Sequence, residues 1–142
     1  MAIVNEILKT KLVKLTCVSP DIMVIDALRL MAEKNIGAVP VTENEKLVGM
    51  FSERDYARKI ILMDKASGTT SIREVMTTDF YTVKTTTSLA DCMRIMTAFS
   101  FRHLPVVDDG RLVGLISTGD LVKFMMEEQT IRIKTLESSI SK

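Results

Sequence analysis

Two short segments of the chain place a hydroxyl and a carboxylate three residues apart, and each begins three residues after a glycine that lies inside an apolar run. They are Ser52-Glu53-Arg54-Asp55, after Gly49, and Ser117-Thr118-Gly119-Asp120, after Gly114. The glycine lets another backbone or a ligand approach closely. If a helix begins at each segment, its N-terminal N–H groups and dipole attract phosphate, and the carboxylate can hold ribose hydroxyls. The segments therefore indicate a nucleoside phosphate site, although simple capping of a helix also accounts for them.

Both segments belong to an internal repeat that covers most of the chain. Every matched pair is offset by 65 residues, as in Pro40 with Pro105 and Gly49 with Gly114. The same offset relates Val18 to Val83, Asp26 to Asp91, Arg29 to Arg94 and Met31 to Met96. A constant offset over so many positions indicates a duplicated unit.

Each copy predicts the same order of elements, namely strand, helix, strand, strand and helix. In the second copy, Phe80–Val83 is a β-rich run, and Ser88 offers an N-cap to a helix with one apolar face. The strands Leu104–Val107 and Leu112–Ile116 are separated by the turn signal Asp108–Gly110. A second helix follows the Ser-x-x-Asp segment.

The sequence therefore predicts an α/β fold of two tandem β-α-β-β-α units that pack pseudo-symmetrically and leave clefts between them. One unit of about 65 residues would be marginally stable alone, so we expect the pair to share a core. The predicted divisions are residues 7–64 for the first unit, 65–71 for a linker, 72–126 for the second unit and 127–142 for a C-terminal helical tail.

Composition and charge argue against several classes of protein. The net charge is +1 and aromatic residues make up 5%, whereas nucleic-acid binders carry basic surfaces and stacking aromatics. No apolar run is long enough for a membrane span, and no signal peptide is evident. Cys17 and Cys92 form no CxxC motif, which is typical of a reducing compartment. We expect a cytoplasmic protein with no nucleic-acid or membrane partner.

Catalysis has little support in the sequence. His103 is the only histidine, so a Ser-His-Asp or Cys-His set would depend on it alone. The chain contains no HExxH motif, no paired Cys/His spacing and no Gly-Lys-Ser/Thr loop. We therefore expect no catalytic residue, no metal site and no catalytic cofactor.

The repeated unit resembles the cystathionine-β-synthase (CBS) domain, and the chain resembles a stand-alone tandem pair of such domains, also called a Bateman module. The resemblance covers the chain from about residue 7 to residue 126. Two such motifs in register make it specific. The residues that carry it are Gly37–Val41 and Leu47–Asp55 in the first copy, and Arg102–Asp108 and Leu112–Asp120 in the second.

The resemblance implies a regulatory sensor that binds AMP, ADP, ATP, NAD(H) or S-adenosylmethionine in two clefts between the units. Asp55 or Asp120 would hold the ribose hydroxyls. The ribose or phosphate would also contact Ser52, Ser117 and Thr118. The base would lie against residues of the first strand and the backbone of the second, at Thr16, Val18, Tyr81, Val83, Ala38, Pro40, His103 and Pro105.

The two copies differ where related modules carry basic phosphate-binding side chains. The second copy has Arg102 and His103 there, whereas the first has Gly37 and Ala38. The first copy instead carries Arg54 inside its Ser-x-x-Asp segment. We therefore expect two non-equivalent sites, one of which binds a nucleotide better than the other.

The C-terminal segment leaves a second function open, that of a protein-interaction module without a ligand. Heptad spacing relates Val122, Met126, Gln129, Ile133, Leu136 and Ile140. The helix that they predict can pack on the units of its own chain or on a second chain. CBS pairs commonly form disc-like homodimers, so the resemblance implies a homodimer, which the tail can extend, and an effector protein that the sequence does not name.

Overall fold

Two units, each with a hairpin and flanking helices, make up the computed structural model, which describes residues 1–11 and 14–140. This mixed architecture with two small antiparallel sheets confirms the predicted fold class. In chain order, the elements are α1 (Val4–Thr10), α2 (Val24–Lys34), β1 (Ala38–Glu43), β2 (Lys46–Ser52), α3 (Glu53–Asp55) with a π-helical continuation (Tyr56–Ile61), α4 (Ile72–Val75), α5 (Leu89–Phe99), β3 (His103–Asp108), β4 (Arg111–Ser117) and α6 (Thr118–Ile140).

The two hairpins repeat one another in detail. Val39 lies opposite Phe51 in the β1–β2 ladder, and the β3–β4 ladder has the equivalent register. A register shift interrupts the first ladder after Val41 and the second after Val106. The side chains of all four of these residues are fully buried. Each hairpin therefore forms the wall of one hydrophobic core.

The predicted first strand of each copy, Phe80–Val83 in the second, is reduced to a single bridge. Val18 pairs in parallel with Val41, and its N–H donates to the carbonyl oxygen of Pro40 at 3.1 Å. Extension of the ladder toward the N-terminal side of Val18 would need a hydrogen bond from the N–H of residue 40. Proline has no N–H, so the strand cannot continue, and Pro105 stops the second copy in the same way.

Each core contains a short helix that lies at the start of the other repeat. α1 precedes the first unit, yet Val4 and Ile7 are buried in the core of the second unit. α4 opens the second repeat, yet Ile72 and Val75 are buried in the core of the first. The units defined by packing are therefore interlocked and do not follow consecutive stretches of the chain.

α6 continues beyond the unit in which it begins. Leu121 is fully buried in the second core, but all residues from 126 to 140 are exposed. Packing of the tail on its own units, one of the two predicted arrangements, is therefore not what the structure shows. Neither α6 nor any other helix in the described part of the chain combines the length and the apolar character needed to cross a membrane.

Candidate functional site

The Ser-x-x-Asp segments form reciprocal caps at the start of α3 and α6. Ser52 Oγ accepts a hydrogen bond from the Asp55 N–H at 3.2 Å, and the Asp55 carboxylate accepts one from the Ser52 N–H at 2.9 Å. Ser117 and Asp120 form the same pair of bonds at 3.1 and 2.8 Å. Capping is thus present in both copies, so a ligand role depends on what else reaches each carboxylate.

The Asp55 carboxylate is filled by donors from its own chain. Oδ1 accepts a hydrogen bond from Thr77 Oγ1 at 2.9 Å and lies 3.2 Å from Lys59 Nζ. Oδ2 accepts hydrogen bonds from the N–H and the hydroxyl of Ser52 at 2.9 and 3.1 Å. A carboxylate has about four lone-pair positions, and all of them are matched here. A ligand can bond to Asp55 only by displacing one of these groups.

The Asp120 carboxylate keeps one oxygen for a ligand. Within residues 1–11 and 14–140, the hydrogen bonds to this side chain fall on Oδ2, from the Ser117 N–H at 2.8 Å and Lys11 Nζ at 2.9 Å. Burial acts to raise the pKa of Asp120, but the hydrogen bonds from Lys11 and Ser117 outweigh it and hold the pKa below its ordinary value. Asp120 is therefore ionised at neutral pH.

Lys11 reaches Asp120 because α1 packs against the second unit. Its Nζ also donates to the carbonyl oxygen of Leu115 at 2.7 Å. Gly114 makes room for this approach, since a Cβ there would lie 2.7 Å from Leu8 Cδ2. The close approach predicted at the motif glycine is thus made by the chain itself.

A cavity of about 400 Å³ lies beside Asp120, between the two units. We call it the Asp120 cleft. Its volume falls in the range of small-molecule sites. It brings together Thr16, Ala38, His103, Ser117 and Asp120 from the predicted set, with Lys11 and Lys14 from the N-terminal segment.

A second cavity, the Asp55 cleft, encloses about 650 Å³. Tyr81 stacks on Phe99 at 5.3 Å, and Phe99 on Phe101 at 5.7 Å, along its wall. From the predicted set it brings together Ala38, Ser52, Arg54, Asp55, Tyr81, Arg102 and His103. Arg54 and Arg102 come from different copies but share this cleft, so each cleft is built from both repeats.

Five predicted residues line neither cleft. Val18 and Val83 are 5% and 4% exposed because they form the parallel bridges inside the two units. Neither side chain therefore lines the Asp120 cleft or the Asp55 cleft, and the place of these residues in a base pocket stays a prediction. Pro40 and Pro105 are buried beside them. The Thr118 N–H donates to the carbonyl oxygen of Arg102 at 2.9 Å, and its hydroxyl lies 3.4 Å from that oxygen and 3.4 Å from Met96 Sδ.

Sequence reasoning missed the side chains that decide the state of the two carboxylates. Lys59 follows Asp55 by four residues, so helical spacing is a signal that could have identified it. Lys11 and Thr77 lie outside the motif. They reach the other unit only because their segments cross over, and nothing in the local sequence indicates that crossing.

His103 lies in the wall of both clefts and is partly buried. Burial lowers its pKa, the positive charges of Lys11 and Arg102 lower it further, and Asp120 acts in the opposite direction. The imidazole is therefore neutral at neutral pH. In that state it offers one hydrogen-bond donor and one acceptor to a ligand rather than a positive charge.

Comparison with known proteins gives consistent likenesses across both units. The family model described as CBS domain matches residues 4–62 and 72–127. The CBS domain-containing protein CBSX3, mitochondrial, of Arabidopsis thaliana is 34% identical over 131 residues, which are 89% of this chain and 63% of that protein.

Two solved structures show the same likeness in three dimensions. A protein with CBS domains from Burkholderia ambifaria MC40-6 is 43% identical with a TM-score of 0.86, over 90% of this chain and 96% of that one. The crystal structure of CBSX2 in complex with AMP is 29% identical with a TM-score of 0.76, over 91% of this chain and 99% of that one.

Proposed function

The chain belongs to the CBS domain family, and on that premise we propose that it is a non-enzymatic sensor that binds an adenosine nucleotide in the Asp120 cleft. The choice of cleft rests on a difference between the carboxylates of Asp55 and Asp120. Asp55 has donors on both oxygens, whereas the described residues bond Asp120 only at Oδ2. A ribose brings two hydroxyl donors and needs a carboxylate with unused acceptors.

The class of ligand follows from the chemistry of the cleft. AMP, which is bound in the structure of CBSX2, contains an adenosine, and a cavity of about 400 Å³ is of suitable size for such a ligand. Lys11 and Lys14 line the cleft and attract a phosphate. S-adenosylmethionine carries a positive sulfonium and no phosphate, so the two lysines favour a nucleotide over it.

Binding also gives Lys11 a second anion. Without a ligand, its ammonium group pairs with Asp120 at 2.9 Å. A nucleotide brings hydroxyls to the carboxylate and a phosphate to the ammonium group, so both partners of the ion pair gain contacts. Because Thr16 and Asp120 come from different units, the ligand bridges the two. It biases their arrangement by its difference in affinity between two states.

Isothermal titration calorimetry with AMP, adenosine, ATP, NAD and S-adenosylmethionine tests the proposal, with Asp120→Asn and Asp55→Asn as matched variants. Hydrogen bonds to charged groups contribute about 1.5–3 kcal/mol each. We therefore expect Asp120→Asn to weaken AMP binding by at least about tenfold. Asp55→Asn is expected to change it by less than about threefold, and AMP is expected to bind more tightly than adenosine.

Two outcomes contradict parts of the proposal separately. AMP binding that survives in Asp120→Asn but fails in a folded Asp55→Asn variant would move the site to the Asp55 cleft. The absence of heat with every ligand would instead favour a ligand-free homodimeric interaction module, which the exposed face of α6 supports as the second candidate. Homodimerisation, the effector protein and the cytoplasmic location remain predictions.

A further inference from the structure

An apolar stripe runs along the exposed part of α6. Steps of four and three residues place its members on one side of the helix. They are Val122, Met126, Ile133, Leu136 and Ile140, which are 44%, 62%, 55%, 63% and 83% exposed, with Gln129 between them. We call these six residues the α6 stripe. A lone helix of about 15 residues is marginally stable in water, so the stripe calls for a partner from outside the chain.

We propose that the α6 stripe pairs with the same stripe of a second copy, as a parallel two-stranded coiled coil in register. Gln129 is the residue that points to an identical partner. In the parallel pair it lies opposite Gln129 of the partner subunit, and two side-chain amides can hydrogen-bond to each other. A lone polar residue in a coiled-coil core favours the register in which it meets its own copy, as asparagine does at an a position; Gln129 occupies a d position.

Charges beside the stripe favour the same arrangement. In heptad terms, Arg132 is a g position and Glu137 the following e position, so each Arg132 lies beside Glu137 of the partner subunit in a parallel pair. An antiparallel pair brings Lys123 near the partner's Glu137, but it also places Arg132 opposite the partner's Arg132. There Gln129 faces the partner's Ile133 and loses its amide partner.

The proposal does not depend on a ligand or on the Asp120 cleft. α6 begins at Thr118, and Leu121 is buried in the second unit, so the coiled coil grows directly from that unit. Parallel pairing therefore holds the second units of the two copies at the same end of the coil, side by side.

Sedimentation equilibrium of the full chain, from about 1 to 300 μM, tests the pairing. Ile133→Asp changes the stripe, and Ile131→Asp is the matched control, since the two isoleucines are 55% and 66% exposed but about 160° apart around the helix. We expect a dimer whose dissociation constant rises at least about tenfold in Ile133→Asp and less than about twofold in Ile131→Asp. A monomer at every concentration, or equal dimerisation by both variants, would overturn the proposal.

Disulfide formation tests the direction of the helices. In a background with Cys17→Ser and Cys92→Ala, Leu136→Cys lies opposite itself only in a parallel pair, and Ser138→Cys faces away from the interface. We expect the covalent dimer of Leu136→Cys to form at least about ten times faster under air oxidation. Equal rates for the two variants would exclude the parallel arrangement.

Discussion

Alanine at Gly49 is expected to destabilise the protein, because the segment that follows α4 passes too close for a Cβ. The added atom would lie 2.7 Å from Met76 Sδ and 3.2 Å from the carbonyl oxygen of Thr77. The thioether can rotate away. The carbonyl cannot, because it accepts a hydrogen bond from the Met50 N–H at 2.9 Å, and the Thr77 N–H donates in return at 2.7 Å.

The magnitude follows from what must move. Overpacking that shifts backbone costs about 1–3 kcal/mol, so we expect Gly49→Ala to lower the free energy of unfolding by about 2 kcal/mol. At Gly114 the Cβ would meet only side-chain atoms of Leu8, which can rotate, so the loss is expected to stay below about 1 kcal/mol. At Gly37 no heavy atom lies within 4 Å of an added Cβ. Alanine there is expected to stabilise the folded protein by about 0.4–1 kcal/mol, because it lowers the conformational entropy of the unfolded chain.

Urea denaturation followed by circular dichroism, at one protein concentration, measures all three variants. The expected order of stability is Gly37→Ala, wild type, Gly114→Ala and Gly49→Ala. A loss of about 2 kcal/mol corresponds to a fall in Tm of roughly 4–8 °C for a chain of this size. Equal losses at Gly49 and Gly114 would refute the reasoning, because the expected difference rests on the held carbonyl of Thr77, whereas the three atoms nearest a Cβ at Gly114 all belong to the Leu8 side chain.

Two further predictions concern the second unit and the cleft wall. Ile7→Ala is expected to lower the free energy of unfolding by about 2–4 kcal/mol, because Ile7 is 3% exposed; Leu15→Ala, at a side chain 38% exposed, is the control. The pKa of His103 is lowered by burial and by Lys11, so stability is expected to fall as pH drops below the ordinary pKa of histidine. We expect the Tm of His103→Gln to fall less than the Tm of the wild type as the pH is lowered. Parallel curves of Tm against pH for the two proteins would contradict this.

Local signals explain why the hairpins and caps were predictable. The turn after β3 is marked by Asp109 and Gly110, and both adopt positive φ in the structure. The caps rest on a serine and an aspartate three residues apart, a spacing that fixes their geometry. The predicted first strands were too long. Pro40 and Pro105 end the pairing from the neighbouring strand, and the residue pattern of the first strand alone carries no information about its neighbour.

Most of the candidate site was predictable only as a set of residues, not as an arrangement. The repeat identified Asp55 and Asp120 as equivalent positions, and the motif difference between Arg54 and Gly119 does not indicate which carboxylate keeps an unused oxygen. The difference comes from Thr77, Lys59 and Lys11, two of which arrive on segments that cross between units. Such contacts join residues far apart in sequence, so they depend on how the units pack and leave no local pattern.

The exchange of α1 and α4 also sets an order for folding during synthesis. Val4 and Ile7 are made well before the rest of the core that buries them, which is complete only when Leu121 has been added. The ion pair between Lys11 and Asp120 likewise joins residues 109 positions apart. Contacts of such separation form slowly. The nascent chain must therefore carry an unburied apolar helix until the second unit has been synthesised, which leaves α1 open to chaperones and proteases before that unit closes over it.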